Sequence, residues 1–175
     1  VMILYLSGRA NAGDNSYYFN SAYDKAENGD YYGAISDYTK AIEINPNDGD
    51  AYYNRGNAKR KLKDDYGAIS DYIKAIEINP NFEYVYYNRG NAKSDIKDYY
   101  GAISDYTKAI EINPKYSIAY NNRGFIKFKI KDYYGAISDY TKAIEIDPQY
   151  ALAYTNRSES KETIGDIKGA CTDAK

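Results

Sequence analysis

From Tyr66 onward the apolar residues Ala68, Ile69, Tyr72, Ala75 and Ile76 recur at i, i+1, i+4, i+7 and i+8. That spacing lays one broad apolar stripe along a helix. Upstream, Tyr52, Gly56, Lys59 and Leu62 follow one another at steps of 4, 3 and 3, again a single helical face. Between the two lies Asp64, whose carboxylate can accept from the free amides of the helix that follows it. Pro80 stops that second helix, because the residue before a proline is biased away from helical geometry. The segment therefore predicts two helices, A then B. Gly56, Ala68 and Ala75 stand where they approach closely, and Tyr52 and Tyr72 fill the gaps around them.

This pattern is one copy of several. Tyr-Gly-Ala-Ile-Ser-Asp-Tyr begins at Tyr32, Tyr66, Tyr100 and Tyr134, each 34 residues after the last. Lys-Ala-Ile-Glu-Ile follows each time, then Pro46, Pro80, Pro114 and Pro148. Asn-Arg-Gly begins at Asn54, Asn88 and Asn122, and Asn-Arg-Ser at Asn156. A fixed period of this size means stacked supersecondary units, each unable to bury its apolar face alone.

The pattern resembles the tetratricopeptide-repeat (TPR) family. That family has an aromatic early in helix A, a small residue four later, then Ala, an aromatic and Ala in helix B, and a closing Pro. Here those are Tyr52, Gly56, Ala68, Tyr72, Ala75 and Pro80, and the set recurs from Tyr86 and from Tyr120; the first unit gives Tyr18, Ala22, Ala34, Tyr38, Ala41 and Pro46. The resemblance implies an all-α fold, a right-handed superhelical solenoid of antiparallel helix pairs. Its repeats would be 15–48, 49–82, 83–116 and 117–150, with a partial repeat or capping helix at 151–175 and a non-repeat segment at 1–14. Two departures stand out. Arg55, Arg89, Arg123 and Arg157 replace the family's usual leucine, and Lys59, Lys93 and Lys127 a frequent tyrosine. Charges near a helix-pair interface need partners, and Asp37, Asp71, Asp105 and Asp139 are the candidates for the arginines.

Composition narrows the chemistry. Net charge is −2 and the pI about 5.3, which gives no general attraction to nucleic acid or anionic membrane. An interleaved basic and aromatic face around Arg60, Lys61, Lys127 and Lys129 is the one feature that would suit nucleic acid. Histidine is absent, removing the usual general base and the commonest metal ligand. With no phosphate-binding glycine loop and no metal-ligand spacing either, no catalysis, cofactor or metal is expected. The single cysteine, Cys171, excludes an internal disulfide and leaves the redox compartment open. Val1–Leu6 is apolar, and Ala10-Asn11-Ala12 has the small-x-small form of a signal-peptidase site. Residues 1–12 thus read as a cloning remnant, a capping segment or a signal-peptide remnant. A cytoplasmic location is expected, or export in the last case. No stretch approaches the ~18 apolar residues of a membrane span.

In TPR arrays the A helices line the concave face, so the resemblance implies a groove for an extended peptide. Its most regular element would be Asn20, Asn54, Asn88, Asn122 and Asn156, similar to the asparagine ladder of the O-linked N-acetylglucosamine transferases. An asparagine amide offers a donor and an acceptor, matching one peptide group. Rungs roughly 10 Å apart would meet about every third residue of a chain rising about 3.3 Å per residue. Hydrogen bonds of about 0.5–1.5 kcal/mol each nearly cancel against about 1–2 kcal/mol of backbone entropy per ordered residue. Affinity must then come from apolar burial, for which Phe19, Tyr23, Tyr53 and Tyr87 form one aromatic stretch and Phe125 and Phe128 a second, with Asn57 and Asn91 beside them. The other reading is that these asparagines bond within the solenoid and lock repeat spacing, and that some rings pack between repeats. The clamp by which some TPR domains grip a chaperone's C-terminal carboxylate needs a lysine and an asparagine where this chain has Phe19 and Tyr23, so it is not expected. The partner is expected to be another protein or peptide. The alternative is a structural module that assembles through its exposed ends or convex face. The groove could also receive the chain's own Val1–Leu6, or a neighbour's, or the whole could be the targeting domain of a larger protein.

Overall fold

A computed structural model describes residues 12–173. The Val1–Leu6 segment and most of the small-x-small motif lie outside the described residues. Ten helices are present and no strand among the described residues: α1 Ala12–Glu27, α2 Tyr31–Ile44, α3 Gly49–Lys61, α4 Asp65–Ile78, α5 Glu83–Asp95, α6 Tyr99–Ile112, α7 Ser117–Lys129, α8 Tyr133–Ile146, α9 Ala151–Thr163 and α10 Ile167–Asp173. Odd-numbered helices are the expected A helices and even-numbered ones the B helices. The chain divides into two compact units, Val1–Asn79 and Pro80–Lys175. In the first, α1 packs on α2, α2 on α3 and α3 on α4; in the second the same succession runs from α5 to α10.

The B helices start the same way each time. Asp30, Asp64, Asp98, Asp132 and Asp166 each accept a hydrogen bond from the backbone N–H three residues on, at 2.9–3.0 Å. The donating residue is always glycine, because a Cβ at Gly33 would lie 2.1 Å from Asp30 Oδ2. So the Tyr-Gly-Ala signature encodes the cap. Helices α2, α6 and α8 share one fourteen-residue sequence, YYGAISDYTKAIEI. They end at the expected place, one residue before the Asn-Pro or Asp-Pro pair.

The first four pairs each close around a buried tyrosine. Tyr38, Tyr72, Tyr106 and Tyr140 are at most 1% exposed. A Cβ on Gly56 would come within 2.7 Å of the Tyr72 ring, so the glycine is what lets A and B meet there. In the first unit Ala22, Ala34, Ala41, Ala51 and Ala58 bury around Tyr38. In the second, Tyr106 packs with Ala102 and Ile126, and Ala143 with Ile144 and Ala153.

The A–B turns carry a cost that the sequence pattern does not announce. Lys63, Lys97 and Lys131 adopt φ of 64–66°, in the left-handed region, at the place where the first and last pairs have Gly29 and Gly165. A side chain there costs about 1–2 kcal/mol, and glycine is free of it. All three lysines are exposed. Lys63→Gly, Lys97→Gly and Lys131→Gly are each expected to stabilise the protein by about 0.5–1 kcal/mol, after the extra unfolded-state freedom of glycine is deducted. Urea unfolding midpoints would measure it.

Candidate functional site

The arginine–aspartate pairing expected from the sequence is present within four of the five helix pairs, and Asp37, expected to take an arginine, takes none. Arg55 Nε and Nη2 donate to Asp71 at 2.9 and 2.7 Å. Arg89 meets Asp105 and Arg123 meets Asp139 in the same two-pronged way. Arg157 takes Asp173, a residue the sequence pattern had left out. Lys59, Lys93, Lys127 and Lys161 reach the same carboxylates at 2.7–2.9 Å. The two departures from the family pattern thus explain each other, since both cations converge on one buried anion. Each guanidinium also lies over a tyrosine three residues earlier, 5.4–5.5 Å from the ring centre. Three of the arginines hold the preceding repeat through a threonine hydroxyl at 3.0 Å: Arg55 on Thr39, Arg123 on Thr107 and Arg157 on Thr141.

Asp37 differs. Ser21 stands where the other repeats have arginine, and Ser21, Lys25 and Lys40 donate to the Asp37 carboxylate. Burial pushes this carboxyl up, but those hydrogen bonds outweigh it and hold it at about 2, against an ordinary 3.8. Burial likewise opposes, and Arg157 and Lys161 overcome, at Asp173, which is also held down. A depressed carboxylate stabilises the fold fully above the ordinary value and loses that contribution as pH falls through the depressed one. Helicity should therefore decline between about pH 4 and pH 2. In a circular dichroism titration, Asp37→Asn should flatten that acid limb while lowering stability at neutral pH.

The A helices place the expected ladder as follows. Asn20 is exposed on α1. The Asn54 Nδ2 donates to the Asp50 carbonyl one turn back at 2.9 Å, leaving its oxygen as an acceptor. Asn88 is half-buried on α5. Asn122 Nδ2 donates to Tyr87 Oη and Asn91 Oδ1, both at 3.1 Å, and its oxygen accepts from Asn121. Asn156 donates to Asn121 Oδ1 at 3.0 Å. The rungs therefore have unequal capacity. Asn122 is engaged on both ends of its amide, in a network joining α5, α7 and α9 that includes the buried Asn121. The sequence reading had not used Asn121 as a polar link.

Asn57 and Asn91 hold a different state. Tyr72 Oη donates to Asn57 Oδ1 at 2.7 Å, and Tyr106 Oη to Asn91 Oδ1 at 2.7 Å. With the oxygen fixed on a buried hydroxyl, each NH2 is left as a donor. In the first unit Asn54 and Asn57 line a cavity of about 290 Å³ with Tyr23, Tyr31, Tyr38, Glu27 and Lys61. Burial pushes the Tyr38 hydroxyl up to about 12, so it stays protonated there.

Of the expected aromatic stretch, Phe19, Tyr53 and Tyr87 lean on the core tyrosines Tyr38, Tyr72 and Tyr106 with ring centres 5.5–6.1 Å apart. Tyr23 is 49% exposed. Phe125 is exposed beneath Lys129, whose Nζ lies 4.9 Å from its ring centre, whereas Phe128 packs edge-on against Tyr133 of α8. Two rows in the second unit were missed. Tyr84, Ile118 and Leu152 are exposed, one per A helix at the same repeat position, and Phe82, Tyr116 and Tyr150 precede them by two residues. Their 34-residue spacing was a legible signal. Tyr116 contacts Tyr84 and Tyr87 at 5.7 and 5.1 Å, and burial, then Tyr87, pushes the Tyr150 hydroxyl up. In the first unit the same positions hold Asp14 and Asp48, and Ser16 and Asp50.

Among the described residues no group of His, Cys, Asp or Glu is placed to hold a metal ion. Among the described residues no helix is long and apolar enough to cross a membrane.

Paired antiparallel helices with a varied A face on a largely repeated B frame define a helical-repeat scaffold. The tetratricopeptide repeat profile matches residues 49–82, 83–116 and 117–150, and a second TPR profile matches 22–63. The chain belongs to the tetratricopeptide repeat family, whose members are in general non-catalytic scaffolds for protein interaction. No curated protein matches it in sequence. Among solved structures it is similar to MamA, at 25% identity and a TM-score of 0.88 over 93% of this chain and 89% of that one. It shares its fold with YrrB, described as a TPR protein with an unusual peptide-binding site, at 21% identity, TM-score 0.80, and coverage of 93% and 84%. It is also similar to the first TPR of Spaghetti bound to an HSP90 peptide, at 25% identity, TM-score 0.67, and coverage of 69% and 96%.

Proposed function

We infer that this protein is a non-catalytic scaffold whose A helices hold an extended peptide, or an extended segment of a partner protein, in a concave groove. The observation that carries the reading is the pair Asn54 and Asn57. One amide keeps a free acceptor and the other a donor aimed by Tyr72, beside a tyrosine-walled cavity. That is the complement of a single peptide group. Asn91 repeats the aimed donor in the second unit. The peptide bound by the Spaghetti TPR is a precedent for this kind of ligand. The groove set comprises Asn20, Asn54, Asn88, Asn122 and Asn156 with Asn57, Asn91, Phe19, Tyr23, Tyr53, Tyr87, Phe125 and Phe128. Within it Asn54 keeps an acceptor and Asn57 and Asn91 each keep a donor, and Asn122 contributes by holding Tyr87 and Asn91 in place. Assembly through the repeat ends has less support. Glu159 and Glu162 line a hollow on α9, and Asp24 and Asp30 with Lys25 line one on α1. Faces that both lean acidic oppose each other.

The test is a pull-down from lysate of the source organism with the native chain and with Asn54→Ala/Asn57→Ala, followed by binding of the captured segment as a synthetic peptide. Losing two hydrogen bonds of about 0.5–1.5 kcal/mol each should weaken that peptide roughly 5- to 150-fold, with circular dichroism unchanged. Equal retention of the same proteins by both forms would overturn the reading.

A further inference from the structure

The N-terminal ends of α5, α7 and α9 carry an apolar row that the fold leaves uncovered. Tyr84 is 48% exposed, Ile118 44% and Leu152 53%. Behind them Tyr116 packs edge-on against Tyr84 and at a tilt against Tyr87. None of Tyr84, Tyr87, Tyr116, Ile118, Tyr150 and Leu152 is charged, and three adjacent repeats supply them. Exposed large apolar residues scattered singly are ordinary, whereas a contiguous group marks a binding surface.

We propose that this row of the second unit receives the Val1–Leu6 segment of a second copy of the chain, so that copies associate head to tail. The proposal rests on the A-helix face being the binding surface. Val1-Met2-Ile3-Leu4-Tyr5-Leu6 carries no charged side chain, which matches an uncharged row. Its extended length of roughly 20 Å matches two A-helix steps of roughly 10 Å, the span from α5 to α9. The first unit does not compete for it, because Asp14, Asp48 and Asp50 stand at the corresponding positions. An apolar chain laid on them would strip water from carboxylates with no cation in return. The contact joins two different surfaces, one at each end of the sequence, so it is heterologous and can propagate from copy to copy.

Two full-length variants test this: Ile3→Asp/Leu4→Asp, which spoils the segment, and Tyr84→Asp/Leu152→Asp, which spoils the row. Tyr84 and Leu152 are exposed, and circular dichroism would verify that both variants fold. In sedimentation velocity the wild type should exceed twice its 19.8 kDa chain mass as concentration rises, while each variant alone stays monomeric. An equimolar mixture of the two should form a 1:1 dimer and nothing larger, since one good segment and one good row remain. A wild type that stays monomeric at every concentration would overturn the proposal. So would association that survives either variant, or a mixture that stays monomeric. Such failure would leave capture of a foreign segment through Asn54 and Asn57 unaffected, so the two readings fail separately.

Discussion

Asp105→Ala should destabilise the protein by about 3–5 kcal/mol, a large share of the ~5–15 kcal/mol that holds a domain together. The carboxylate is 4% exposed and carries both Arg89 and Lys93, themselves 16% and 20% exposed. Removing it leaves two poorly hydrated cations facing each other. The size of the loss reflects that uncompensated charge more than the worth of the ion cluster. The converse substitution separates the two. Arg89→Leu, Lys93→Tyr and Asp105→Leu together restore the family's apolar residues at the first two positions and remove all three charges. Buried ion clusters replaced by well-packed apolar groups are often neutral, or more stable by about 1–4 kcal/mol. Urea unfolding followed by circular dichroism should place the triple variant at or above the native midpoint and Asp105→Ala far below it. If the single variant loses under 1 kcal/mol, water reaches these cations more freely than the geometry indicates.

Tyr140→Ala is expected to cost about 3–5 kcal/mol. The ring is 1% exposed and touches the space that Gly124 leaves open, where a Cβ would come within 2.9 Å. The hydroxyl contributes little there, because Phe125 occupies the place where Asn57 and Asn91 accept from their tyrosines. Tyr140→Phe should therefore change the urea midpoint only slightly. Tyr72→Phe should cost about 1 kcal/mol, since it leaves Asn57 Oδ1 unsatisfied, and it should also weaken peptide binding by releasing the aimed donor. A Tyr72→Phe variant that binds as tightly as the native chain would show that Asn57 needs no such anchor.

Much of this was readable from the chain. The period of 34 residues, the paired helices, the prolines past each B helix and the aspartate cap at Asp64 follow from local rules that act within one turn of helix. The arginine–aspartate pairing followed from the need to neutralise charge at an interface. The limits have physical causes too. Whether an asparagine faces a ligand or a neighbour depends on distances between helices far apart in sequence. Asn54 and Asn122 occupy the same repeat position, yet one bonds its own helix and the other bonds α5. The strain at Lys63, Lys97 and Lys131 was hidden because lysine is an ordinary residue for a helix end. Only Gly29 and Gly165 at the matching places betray the backbone conformation.

The shared sequence of α2, α6 and α8 has a consequence during folding. Any of these three helices can satisfy any A helix that presents a glycine, an arginine and a lysine at the right spacing. A refolding chain thus meets partners that are chemically indistinguishable from the correct one and offset by whole repeats. What selects the correct neighbour is reach: the short A–B turn brings the adjacent helix first, because closing a short loop costs less entropy than closing a long one. Crowded refolding erodes that advantage, since a helix from another molecule then competes at comparable effective concentration. Exchange of whole helix pairs between molecules, in steps of one repeat, is the error this sequence invites.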